Sequence, residues 1–128
     1  MSRKDEARPH LAKAEEYVDA AGLVMEYGRY NAACSLAVTA GINSKDVIYI
    51  LSVGYTDKSD NHGKAVDDLR KSGPIGKRMT ETLRKLLGQK TKSQYSPASV
   101  SATDADAAVK RAERLFDAAK ELFSTTAR

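Results

Sequence analysis

Apolar residues recurring three and four positions apart constrain this chain most, because only a helix brings such positions onto one side. Ala105, Ala108, Ala112, Leu115, Ala119 and Leu122 follow this rule, and Val109, Phe116 and Phe123 widen the stripe. Ser101 followed by Asp104 matches a capping-box start for that helix. Near the other end, Leu11, Ala14, Val18, Ala21 and Met25 form a second stripe. Pro9 suits a first-turn position, so this first helix is expected to begin near Pro9 and to end at Gly28. A third stripe, Ile75, Met79, Leu83, Leu86 and Leu87, follows the break at Ser72-Gly73-Pro74.

Between these stripes, residues 29–53 read as one helix with an unusual face. Ala33, Ala37 and Gly41 are small and four apart, so another backbone can come close. Beside them Asn31, Ser35, Thr39, Asn43 and Asp46 form a polar stripe that either lines a cleft or else faces solvent or caps neighbouring backbone. Val47, Ile48, Ile50, Leu51 and Val53 are rich in β-branching, which favours strands. No alternation or hairpin turn accompanies them, so helix is the expectation, closed by Gly54. Asp60 or Asn61 can cap a short helix carrying Ala65, Val66 and Leu69. Residues 88–102 read as a long connector centred on Tyr95-Ser96-Pro97. The sum is an all-α bundle of about five helices.

The 128 residues fit one domain, residues 1–128, large enough to bury a core without staples. The single cysteine, Cys34, sits in an apolar run and reads as a small core residue. No Cys/His cluster has zinc-type spacing, so neither metal nor cofactor is expected. No stretch approaches the ~20 apolar residues needed to span a bilayer, and no apolar signal core follows the charged start. The expected address is the cytoplasm. The net charge is +4, but Lys64–Lys92 holds nine basic and three acidic residues, a local +6 that leaves −2 elsewhere. Such an excess attracts polyanions.

Motif order adds a family likeness. Tyr30-Asn31-Ala32-Ala33 and Ala40-Gly41-Ile42 precede Asp46, and His62 opens a short helix with Ala65, Val66 and Leu69. Leu83, Leu86 and Leu87 lead to Lys90 and Tyr95-Ser96-Pro97, and the last helix carries Asp104, Ala105, Ala108 and Ala112. In this order the chain resembles the HEPN superfamily (higher eukaryotes and prokaryotes nucleotide-binding domain), in particular small actinobacterial stand-alone members. The resemblance implies a four-helix up-down bundle with a short extra helix, and a homodimer with sites near its seam. It implies RNA or nucleotide as ligand, a small nucleotidyltransferase as partner, and a place in toxin–antitoxin or defence systems. Many members are metal-independent RNases whose signature is an Arg, four to six residues, then a His. Here the corresponding region is Gln89-Lys90-Thr91-Lys92-Ser93-Gln94-Tyr95, with Lys in place of Arg and no His. Arg3 and His10 have the spacing, but at the other end of the chain.

The candidate ligand-binding residues are therefore Lys90, Lys92, Tyr95, Arg84, Lys85, Asp46 and His62, with no catalytic residue assigned. Lysine holds phosphate as a point charge without the arginine fork, and Tyr95 can stack a base. The leading expectation is a module that binds RNA, a nucleotide or a partner protein. A divergent RNase toxin and a structural helical adaptor are the alternatives.

Overall fold

The structure, a computed structural model, describes residues 2–54, 62–95 and 98–127; the side chains of residues 62 and 90–95 lie outside the described part. Five helices follow in chain order: α1 (Arg3–Glu26), α2 (Tyr30–Ser52), α3 (His62–Arg70), α4 (Gly73–Tyr95) and α5 (Ala102–Thr125). Among the described residues there is no strand, so the fold is all-α. No described helix is long and apolar enough to cross a membrane.

The four long helices alternate in direction. Arg3 at the start of α1 reaches the end of α2, donating from Nη1 to the carbonyls of Leu51 and Ser52 at 3.3 Å each. Cys34 near the start of α2 donates to the Gln89 carbonyl late in α4, so α2 and α4 are antiparallel. The Gln89 side chain in turn donates to the Asp104 carbonyl at 2.9 Å, which joins the end of α4 to the start of α5. Asn31 accepts from the Val100 amide at 2.9 Å, so α2 and α5 begin side by side and run parallel.

Helix α2 packs against all four other helices, whereas among the described residues α1 and α4 do not meet. The cross-section is thus a rhombus whose short diagonal joins α2 to α5. Its core is built from alanine as much as from leucine. Ala7, Ala14 and Ala21, seven apart on α1, are fully buried, as are Ala33, Ala37 and Ala40 on α2. Ile48, Leu69, Leu83, Leu86 and Leu115 are the largest fully buried side chains, each worth about 1.5–3 kcal/mol of transfer free energy. Cys34 is buried among them, as a small core residue should be.

Two sequence expectations are corrected. Helix α1 starts at Arg3 and not near Pro9, because Ser2 and Asp5 form a reciprocal capping box, and Pro9 lies inside the helix. Proline removes one backbone donor there, from an exposed position of a helix anchored at both ends. The connector after α4 is also shorter than expected. Gly88 does not end α4, which runs on to Tyr95. Leu86 and Leu87 are buried and Gln89 is tied to α5, so tertiary contacts outweigh the poor helix propensity of one exposed glycine. The expected caps of α3, Asp60 and Asn61, lie outside the described residues.

Two glycines test this picture in opposite directions. A Cβ on Gly76 would strike the Leu69 carbonyl and lie 2.7 Å from Ser72 Cβ, whereas one on Gly88 meets nothing within 4 Å. Urea denaturation of Gly76→Ala should show a loss of about 1–3 kcal/mol, the usual cost of overpacking. Gly88→Ala should gain up to about 1 kcal/mol from helix propensity, and no gain would argue that the helix stops at 88.

Candidate polyanion-binding face

Helix α3 folds back on α4 through a two-residue link. Ser72 donates from Oγ to the Asp68 carbonyl at 2.5 Å, and its own carbonyl accepts from Ser52 Oγ at 3.2 Å. This fastens the link to the end of α2. The absent side chain at Gly76 lets α4 start directly beneath the last turn of α3. Between the two helices runs an open groove of about 450 Å³ with Val66 and Leu87 on its floor. Arg70 of α3 and Arg84 of α4 line it from opposite sides, with Asp67 beside Arg70 and with Gly63 and Gly88 at its wall.

The cations on these helices fall into two groups. Arg84 donates from Nη1 to both oxygens of Glu81 at 2.7 and 2.6 Å, Arg70 pairs with Asp67 at 2.6 Å, and Lys64 lies 3.5 Å from Asp68. Every carboxylate of the two helices thus faces a cation of its own helix. Lys71, Lys77, Arg78 and Lys85 have no carboxylate partner among the described residues, and all four are exposed. Positions 77, 78, 81, 84 and 85 share the solvent side of α4, opposite buried Met79, Leu83 and Leu86. This face presents net positive charge on a helix held firmly by its core side. Its arginines keep donors to spare, because a guanidinium carries five N–H groups.

The structure brings some of the sequence candidates together and separates others. Arg84 and Lys85 belong to this face. Lys90, Lys92 and Tyr95 continue α4 in the backbone, and His62 opens α3, but their side chains lie outside the described residues. Asp46 is elsewhere. It pairs with Lys45, a lysine only 5% exposed, and lies 3.7 Å from His10 Nδ1 across the α1–α2 seam. Two residues of the neighbouring polar stripe bond the backbone of their own helix. Thr39 donates to the Ser35 carbonyl at 3.1 Å and Asn43 to the Thr39 carbonyl at 2.9 Å. Asn31 of the same stripe accepts from the Val100 amide instead. Lys45 and Asp46 are neighbours in the chain, but the approach of His10 could not be read from spacing, because it comes from α1. Among the described residues no group of three or more His, Cys, Asp or Glu gathers as a metal site would require.

No family model matches the chain, and a search of curated proteins finds no match.

If Asp46 is structural, its loss should be felt in stability. Asp46→Asn leaves the Lys45 ammonium buried beside a neutral amide, a defect on the order of 3 kcal/mol. A fall in the urea midpoint, with polyanion binding by the folded protein unchanged, is the expected pair of results.

Proposed function

We propose that the chain is a HEPN-like helical module that binds RNA or a nucleotide through the α3–α4 face. The observation that carries this reading is the set of four exposed cations without carboxylate partners among the described residues, Lys71, Lys77, Arg78 and Lys85, beside the Arg70/Arg84 groove. Side chains of this type neutralise phosphates and release counterions, a gain that needs no particular base sequence. The apolar floor at Val66 and Leu87 gives a base something to rest on while the rim holds the phosphate. Four long helices with a short one after the second also agree with the arrangement that the resemblance implies. Binding is favoured over catalysis. The Arg3 guanidinium, half of the only Arg/His pair with nuclease spacing, is engaged on the carbonyls that end α2, and His10 sits against Asp46. A nucleotidyltransferase partner and a role in a toxin–antitoxin or defence system belong to the same proposal.

The test is fluorescence anisotropy with a labelled single-stranded RNA at several salt concentrations. Affinity should fall steeply with salt, with a logarithmic slope of roughly 0.7 for each phosphate neutralised. Lys77→Ala/Arg78→Ala and Lys85→Ala should each weaken binding and flatten that slope. Lys13→Ala, a cation lost from α1 and so away from α4, should not. Binding that ignores both salt and the substitutions would leave the adaptor reading. Cleavage of the RNA in the presence of a chelator would establish the nuclease alternative.

A further inference from the structure

The basic surface does not stop at α4. Gln89 donates to the Asp104 carbonyl, so its side of α4 faces α5. Arg78, Thr82, Lys85 and Gln89 stand four, three and four positions apart and share that side. On α5, Asp104, Ala107, Arg111 and Arg114 follow the same kind of spacing and face back toward α4. The two helices run antiparallel, so Arg111 falls within about a turn of Lys85, and Arg114 lies toward Arg78. Arg111 is half-buried and Arg114 exposed, and neither has a carboxylate partner among the described residues. The carboxylates nearest to them in α5 are turned away. Asp106 holds Lys110 at 2.8 Å, and Glu113 and Asp117 line the side that faces α1. On the crest of α4 the carboxylate is Glu81, and Arg84 already donates to both its oxygens.

We infer that the ligand of this surface is a polynucleotide that crosses α4, and that Arg111 and Arg114 bind its backbone on the far side. This rests on the RNA reading of the α3–α4 face and decides, between RNA and a nucleotide, for the polymer. The reach of the charges carries the argument. Arg84 and Lys85 are consecutive, so they leave α4 roughly 100° apart. Arg84 lines the groove opposite Arg70, whereas Lys85 shares the side of Gln89 that faces α5. Arg70, Arg84, Lys85 and Arg111 thus follow one another across three helices. A helix with its side chains is about 10–12 Å wide. A mononucleotide seated over the groove of about 450 Å³ fills one flank of α4 and leaves the cations of the other flank unmet. A chain of phosphates leaving the groove meets them in turn, and each neutralised contact releases counterions. Like charges gathered without carboxylates along the α4–α5 seam repel one another in the free protein, and a polyanion laid along them relieves that repulsion.

Fluorescence anisotropy with two labelled single-stranded RNAs tests this. One is a dinucleotide, which spans the groove alone; the other is about twelve nucleotides long, within the range that single-strand binders cover. Wild type should bind the longer RNA with the steeper salt dependence. Arg111→Gln/Arg114→Gln keeps most of the side-chain stems that pack the seam and removes both charges. It should lower the logarithmic salt slope of the longer RNA by roughly 1.4, which is 0.7 for each phosphate released. Arg114→Gln alone, at an exposed position where packing is not at stake, should lower it by roughly 0.7. Binding of the dinucleotide should not change. Lys120→Gln removes a charge from the side of α5 that faces α1, and should leave both probes unaffected. An unchanged slope for the longer RNA in the double variant, while Lys77→Ala/Arg78→Ala still flattens it, would overturn the inference and leave the α3–α4 reading standing. Equal loss on the dinucleotide would overturn it too, because that probe does not reach α5. Wild-type binding that ignores salt would remove the RNA reading and this inference with it.

Discussion

Helix α2 can touch four other helices only because one side of it is nearly flat. Ala33, Ala37, Ala40 and Gly41 project a methyl group or less, and α1 answers with Ala7, Ala14 and Ala21. Helix α5 does the same with Ala105, Ala108, Ala112 and Ala119. Small side chains bring backbones close and leave little room for error, since interiors are packed at crystal-like density. Gly41 shows the limit: a Cβ there would run into Leu86 and come within 3.3 Å of Leu115. Both leucines are fully buried. This intimacy draws α2 and α5 together along the short diagonal and pushes α1 and α4 apart. The bulky residues then fill the space between α2, α4 and α5, where Leu83, Leu86 and Leu115 meet.

Much of this was legible in the sequence, and what escaped did so for identifiable reasons. The stripe of α5 and its start at Ser101 appear as read, with Ser101 Oγ accepting from the Asp104 amide at 3.0 Å. The inward face of α4 and the end of α1 at Gly28, whose φ is +73°, also agree. Pro9 and Gly88 misled because propensity acts locally, whereas a cap seven residues upstream of Pro9 and a buried leucine pair beside Gly88 decide the outcome. The basic segment was visible as a count, but a count does not see pairing. Asp67, Asp68 and Glu81 each face a cation on their own helix, so the uncompensated charge belongs to fewer residues than composition implies. Asp46 lies apart from the basic face, in contact with Lys45 and near His10. Lys45 is its neighbour in the chain, but His10 is brought up from α1 by packing, which no spacing within α2 reports.

The rhombic outline also sorts the surface. The basic face lies on α3 and α4, and among the described residues α1 does not meet α4, so that face and the α1–α5 side of the bundle look in different directions.

The hydrogen bonds from Arg3 to the end of α2 have a meaning beyond capping. Helices α2 and α5 are neighbours that run the same way, so the partial negative charges at their C-terminal ends fall at one end of the bundle. Two parallel helix dipoles in contact repel, and neither helix carries a basic residue in its own last turn to offset this. Helix α1 begins at that same end, and its first residues supply the missing charge. Arg3 lies on the carbonyls of Leu51 and Ser52, and Lys4 and Arg8 lie over Phe123 in the last turns of α5. The start of one helix thus acts as the electrostatic counterweight for two others. The parallel α2–α5 pair, the closest diagonal of the fold, depends on a cluster of cations that belongs to neither.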